Sequence, residues 1–347
     1  MRVDQLTFTR FLAAIAIVVF HYGQNIFPFN VQWVSFIFKQ SNIGVSYFFL
    51  LSGFVMILAY NNKDKINYLE FYKNRFFRIY PVYLLSILLV FMFISIKHFP
   101  FDYSTIFLNL LAVQTWFPEK AIAFNTPGWS ISVEFFFYLV FPILFNLIYN
   151  KKKYLKHWVF ISILIFLSTQ ISLYYLMNST FFGGFPSPSY NLLFFHPMMH
   201  INEFLIGNLA AIFYLRLGKS FRNLDLSIII NFILIVITLK YVTIVNFHNG
   251  LLSFLFIPFI ILLSNNNGFI TKLFLKKSFV ILGEISFGIY ILQLPVFSFS
   301  YLLFDQINLL NDSCRFYLAL FILVLIAYLS FIYIENPIRL KLKKPNK

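Results

Sequence analysis

Residues 6–27 read LTFTRFLAAIAIVVFHYGQNIF. A mostly apolar run of about 20 residues is what a helix needs to cross the hydrocarbon core of a bilayer. Two ionisable side chains interrupt it, Arg10 and His21. A charged group at mid-membrane costs roughly 2.5–3.5 kcal/mol on insertion scales, so each is a functional candidate by default. On an α-helix, residues eleven positions apart lie about 20° from a whole number of turns and about 16 Å apart along the axis. The spacing therefore predicts one shared face, with Arg10 towards one membrane surface and His21 in the opposite half. The plainer alternative for His21 is a structural imidazole hydrogen-bonded between helices. Arg10 interrupts the apolar run and no small-residue cleavage site follows it, so the segment is expected to remain as a span rather than be removed as a signal peptide.

The rest of the chain repeats this pattern. Of 347 residues, 60% are hydrophobic and only 11% charged, with 50 Phe. Soluble chains carry roughly 25% charge, so a soluble enzyme, a disordered tail and a secreted mini-domain are all excluded. The expected fold class is an all-α polytopic membrane protein of about ten transmembrane helices. The candidate spans are residues 6–27, 43–60, 76–97, 129–149, 158–177, 199–215, 226–245, 250–264, 279–304 and 314–335. Residues 104–117, STIFLNLLAVQTWF, are too few for a crossing and suit a re-entrant or interfacial helix. The net charge is +15, yet the basic residues cluster between apolar runs, so a nucleic-acid partner is set aside. With that set of spans, all but six of the 27 basic residues fall on one side: Arg10, Lys39, Lys97, Lys120, Lys240 and Arg315 are the six. The positive-inside rule makes that side, and both termini, cytoplasmic. A crossing at 104–117 would put Lys151-Lys152-Lys153 outside. Residues 1–335 are expected to form one membrane domain and 336–347 a basic cytoplasmic tail, with no attached soluble catalytic domain. Cys314 is the sole cysteine, which excludes an intramolecular disulfide and a cysteine-based zinc site.

Other polar residues fall inside the apolar runs. Trp129-Ser130-Ile131-Ser132-Val133-Glu134 opens the fourth span and sets Glu134 about 8 Å below the outer surface, at a depth similar to His21. If the two helices touch, a carboxylate can fix an imidazole tautomer and stabilise the imidazolium; otherwise Glu134 is satisfied by a Ser or Tyr elsewhere. Arg75 and Arg78 stand at i, i+3 on one face near the inner end of the third span. Two forked donors there suit a phosphate-bearing ligand, although headgroup anchoring accounts for many basic residues at span ends. Phe48-Phe49-Leu50-Leu51-Ser52-Gly53-Phe54 combines a small residue that permits close helix approach with a hydroxyl near mid-membrane. His196, His200 and Glu203 have a spacing that could present metal ligands, but Pro197 interrupts them and no metal is expected.

In this order, the segments resemble the acyltransferase-3 family of bacterial integral membrane O-acyltransferases. The resemblance rests on Arg10 and His21, Phe48 to Phe54, Arg75-Phe76-Phe77-Arg78-Ile79-Tyr80-Pro81, Trp129 to Glu134, Phe204-Leu205-Ile206-Gly207, Ile285-Ser286-Phe287-Gly288-Ile289-Tyr290, and Glu335-Asn336-Pro337. It implies transfer of an acyl group, usually acetyl, from cytosolic acetyl-CoA to a hydroxyl of a cell-surface or lipid-linked glycan on the outer side. The candidate acceptors include O-antigen or other lipopolysaccharide, capsule and exopolysaccharide. By motif match His21 would be the catalytic histidine, and Arg10, Arg75 and Arg78 would contact the donor. Glu134 is expected to share the acid–base chemistry and Ser52 to lie along the pantetheine path. Many members have His two residues before the Pro of the ninth span, where this chain has Gln293; that position is given no catalytic part. The resemblance further implies a multi-pass protein of the bacterial inner membrane. Direct transfer and an acyl-imidazole on His21 both remain open, and a polytopic transporter or exporter of a glycan or small polar solute is the alternative function.

Overall fold

The computed structural model describes residues 3–149, 154–218, 222–242 and 245–343. In chain order its helices are α1 (Gln5–Val18), α2 (Gln32–Phe38), α3 (Ile43–Tyr60), α4 (Tyr68–Ile96), α5 (Tyr103–Leu110), α6 (Trp129–Leu144), α7 (Leu155–Met177), α8 (Pro188–Phe195), α9 (Ile201–Leu217), α10 (Asp225–Tyr241), α11 (Ser253–Asn265), α12 (Phe269–Phe274), α13 (Lys277–Gln306), α14 (Asp312–Ser330) and α15 (Asn336–Lys343). No strand occurs among the described residues. Lys151-Lys152-Lys153 and residues 344–347 lie outside them.

Seven helices are long and apolar enough to cross a membrane: Gln5–Gly23, Ile43–Tyr60, Tyr68–Ile96, Thr126–Tyr149, Leu155–Met177, Lys277–Gln306 and Asp312–Lys341. The expected spans at 199–215, 226–245 and 250–264 correspond to shorter helices, α9 and α10 of 17 residues each and α11 of 13. Over the stretch 104–117 the chain forms only the eight-residue α5, about 12 Å long, followed by single 3₁₀ turns. Asp102 caps α5 by accepting from the Thr105 backbone N–H. The Lys120 ammonium, paired with Asp102 across this loop, holds its carboxyl below the usual carboxylate range, helped by Ser104 and Thr105.

Two expectations about helix limits change. The third span starts at Tyr68, where Asn67 caps the helix by accepting from Glu70 N–H at 3.1 Å. Arg75 and Arg78 therefore lie about two turns or more inside α4 rather than in its first turn. Their leading turns are Tyr68-Leu69-Glu70-Phe71-Tyr72-Lys73-Asn74, polar on one side, and so fall below an apolar window. At the other end, α14 passes through a π-helical turn, Phe331–Glu335, into α15. Residues 336–343 are thus helix packed on the bundle rather than a free tail. Pro337 does not stop it: it directly follows the π turn, where the ladder has already shifted, the Asn336 N–H donating to the Phe331 carbonyl.

The bundle is held where backbones meet. α3 packs along α9, and α13 along both α1 and α14. A Cβ on Gly207 would stand 2.1 Å from the Leu50 carbonyl oxygen, and one on Gly53 would stand 2.2 Å from that of Phe204. Glycine at both positions lets α3 and α9 touch main chain to main chain, a packing mode that membrane helices favour. Replacing Gly207 by Ala forces the two helices apart, and overpacking of this kind costs about 1–3 kcal/mol. Gly207→Ala is expected to lower the melting temperature in detergent by several degrees. Gly288→Ala, whose new Cβ would meet only Ala327 at 3.2 Å, is expected to lower it less. Equal melting of Gly207→Ala and the unaltered protein would refute the seam.

Candidate active site

Six helical segments surround one cavity of about 390 Å³. α1 presents Leu6, Thr7 and Arg10, which share one helical face with Val3 ahead of the helix, and α3 presents Val45, Phe48, Ser52 and Val55. α4 supplies Arg75 and Arg78, α6 supplies Ser130, Glu134 and Tyr138, and α13 supplies Glu284, Phe287 and Tyr290. The last wall is Phe331, Glu335 and Arg339, from the π turn and α15. Arg10, Ser52, Arg75, Arg78 and Glu134, singled out from sequence, thus share one chamber.

Its charged lining sets four arginines, Arg10, Arg75, Arg78 and Arg339, against three glutamates, Glu134, Glu284 and Glu335. Arg75 sits in an aromatic cage, its guanidinium carbon 5.4 Å from the Phe71 ring centre, 5.7 Å from Tyr138 and 5.9 Å from Tyr60. Such ring faces hold a cation without neutralising it. The Arg75 Nε is buried and has no hydrogen-bond partner. Arg78 lies within electrostatic reach of Arg75 and Arg10, two like charges, and of Glu134. Across the chamber, Arg339 donates to Glu284 at 2.8 Å and to Asn336 at 3.1 Å, while its Nε and Oε1 of Glu335 are buried without partners. Convergent guanidiniums with unfilled donors fit a polyanionic ligand better than a settled ion-pair network.

Glu134 belongs to this chamber rather than to His21. Its Oε1 accepts from Tyr138 Oη and, at 3.4 Å, from Ser52 Oγ. His21 is not among the residues lining the cavity. α1 gives way at Val19 to a π-helical turn, Val19–Gly23, which carries His21. π turns of this kind recur at functional sites. The His21 ring is exposed, and its Nδ1 lies 2.8 Å from Oε1 of Gln293 on α13. The cavity ends at Tyr290 on the same helix, three residues or about 4.5 Å short of Gln293.

Sequence reasoning missed Tyr138 and Arg339, named Glu335 only within the closing motif and gave Gln293 no catalytic part. Tyr138 is one turn from Glu134 and Arg339 one turn from Glu335, so i, i+4 extension of the two acidic positions finds both. His196, His200 and Glu203 do not converge on a shared point. His200 is fully buried with both ring nitrogens engaged, Nδ1 with Glu203 at 2.8 Å and Nε2 with the Phe194 carbonyl at 2.9 Å. Nearby, in the turn between α10 and α11, burial pushes the His248 imidazole down to about 3. The group reads as a buried structural network that ties α8, α9 and this turn together.

The sequence profile of the acyltransferase-3 family, described as an acyltransferase domain, matches residues 3–333. The chain belongs to this family. It is similar to the O-acetyltransferase OatA of Staphylococcus aureus (strain NCTC 8325 / PS 47), 24% identical with 96% of this chain and 56% of the relative covered. Peptidoglycan O-acetyltransferase OatA of Listeria monocytogenes is 25% identical, with 95% and 54% covered. Acyltransferase MdmB of Streptomyces mycarofaciens is 37% identical over 158 residues, 43% of this chain and 40% of the relative. The chain spans about half the length of these curated relatives. No solved structure matches it.

An open chamber admits a small reagent. In a Cys314→Ser background, which removes the exposed native thiol, Ser52→Cys is expected to react with a methanethiosulfonate reagent much faster than Ala319→Cys, whose position is fully buried. Mass spectrometry of the intact protein reads both. Equal, slow labelling would contradict the cavity.

Proposed function

We propose that this chain is a membrane O-acyltransferase that takes an acyl group, acetyl above all, from cytosolic acyl-CoA and delivers it to a hydroxyl of a cell-surface or lipid-linked glycan. The observation that carries the reading is the arginine-lined chamber that stops one helical turn short of an exposed histidine. Family membership and relatives named as O-acetyltransferases support the same reaction class.

The donor's phosphates fit Arg75, Arg78 and Arg339, whose forks match phosphate oxygens. The pantetheine arm then runs past Arg10 and Ser52 towards Phe48 and Tyr290. Those two rings, 5.9 Å apart edge to face, narrow the end of the chamber and favour a short acyl group. His21 Nε2 takes the proton of the acceptor hydroxyl as its oxygen attacks the thioester carbonyl. The C–S bond breaks, and the departing thiolate receives that proton from the imidazolium. The acceptor stays on the far side throughout.

The proposed topology has ten spans, counting α9, α10 and α11, and places both termini in the cytoplasm of a bacterial inner membrane. Helix direction supports it. Close contacts pair Thr7 with Gly283, His21 with Gln293 and Tyr22 with Phe297, so α1 and α13 run the same way. If only the seven long helices crossed, α13 would run opposite to α1. An odd number of crossings between α7 and α13 restores the observed direction, and three short helices supply it.

Each lost charged hydrogen bond is worth roughly 1.5–3 kcal/mol. Arg75→Ala and Arg78→Ala are each expected to raise KM for acetyl-CoA by about tenfold or more. In a deletion strain, NMR of the surface polysaccharide is expected to show acetyl esters with the unaltered gene and none with His21→Ala at equal protein level. Esters undiminished by His21→Ala would overturn its catalytic role. Polysaccharide unchanged in every strain would move the acceptor elsewhere.

A further inference from the structure

We infer that Gln293 is the positioning residue for His21: its amide selects the tautomer with hydrogen on Nδ1 and leaves the Nε2 lone pair free for chemistry. The inference rests on the proposed reading of His21 and adds what makes that imidazole competent.

Gln293 is fully buried on α13. Its Nε2 donates to the Tyr290 carbonyl at 2.7 Å, and its Oε1 lies 2.8 Å from His21 Nδ1. These two contacts decide the amide orientation. Turning the amide over would set its oxygen against the Tyr290 carbonyl, two acceptors with no hydrogen between them, and leave a buried donor facing the ring. The oxygen therefore faces Nδ1. An amide oxygen only accepts, so Nδ1 must carry the hydrogen, and in the neutral ring Nε2 is then the unprotonated nitrogen. Whether His21 acts as a base or as an attacking nucleophile, it uses that same lone pair.

The backbone reinforces the arrangement. The π turn Val19–Gly23 brings His21 against α13, and the next residue, Tyr22, stacks on Phe297 with centroids 4.1 Å apart. Gln293 and Phe297 are four residues apart on α13 and face the same way. Together they clamp the turn at two points. The exposed ring is thus oriented from behind by a neutral acceptor.

An amide gives the imidazolium less support than a carboxylate does, and this sets the test. Gln293→Leu keeps the approximate volume and removes the acceptor. It is expected to lower kcat at least about tenfold, within the range general-base catalysis supplies, while KM for acetyl-CoA stays near its original value. Gln293→Glu keeps the acceptor and adds a negative charge beside Nδ1–H, which favours the protonated ring. Because the active form is the neutral imidazole, the acidic limb of the kcat/KM profile is expected to move to higher pH, by about one unit.

A second readout does not depend on turnover. ¹⁵N NMR of histidine-labelled protein, with the His21 signals assigned by their loss in His21→Ala, should show Nδ1 protonated and Nε2 bare in the unaltered protein. In Gln293→Leu the two forms should mix. An unaltered kcat and pH profile in both Gln293 variants, with His21→Ala inactive, would overturn the inference and leave the reaction assignment standing. A fully active His21→Ala would remove both.

Discussion

Three guanidiniums held close together inside a bundle of apolar helices are the constraint on which the rest of the structure depends. Like charges in a low-dielectric surround repel strongly, and Arg10 and Arg75 are half-buried. Arg10, Arg75 and Arg78 have Glu134 and Glu335 within electrostatic reach, and Arg75 Nε has no hydrogen-bond partner. A helix bundle tolerates such a group only if something else stabilises the fold and something anionic uses the chamber. The first role falls to the surrounding packing. The second is the reason to regard the chamber as a binding site rather than a defect.

That packing is built from two devices. Glycines at the α3–α9 and α1–α13 seams, Gly53, Gly207 and Gly283, allow main-chain contact and fix where the chamber walls stand. Aromatic faces then hold the cations. The Phe71, Tyr60 and Tyr138 rings surround Arg75, and Phe331 lies 5.7 Å from the Arg339 guanidinium. An aromatic wall orients a positive charge while leaving its hydrogen-bond donors unspent. The high phenylalanine content thus contributes to the site itself as well as to the lipid-facing surface.

Much of the site was legible because an ionisable residue inside an apolar run is conspicuous. Arg10, Arg75, Arg78 and Glu134 announce themselves that way, and the chamber gathers all four with Ser52. What the sequence did not reveal was the π turn that carries His21. The eleven-residue spacing of Arg10 and His21 assumed an uninterrupted α-helix, and nothing in Val19-Phe20-His21-Tyr22-Gly23 signals a π turn. Depth was a weak guide as well: Glu134 and His21 were expected at similar heights, yet Glu134 bonds Ser52 and Tyr138 whereas His21 meets Gln293, one turn beyond Tyr290 on α13. Arg339 was hidden by Pro337 and by the basic composition around it, which read as a tail although the helix passes through. The short helices α9, α10 and α11 fall below a length criterion, and only the relative direction of α1 and α13 speaks for their crossing.

The central claim is that one chamber holds the donor and that its narrow end delivers the acyl group towards His21. A cryo-electron microscopy map of the protein in lipid nanodiscs with a non-hydrolysable thioether analogue of acetyl-CoA tests it most directly. The expected map has phosphate density within hydrogen-bond distance of Arg75, Arg78 and Arg339, with the acyl group against Phe48 and Tyr290. Analogue bound elsewhere, with the arginine chamber unfilled at saturating concentration, would contradict it.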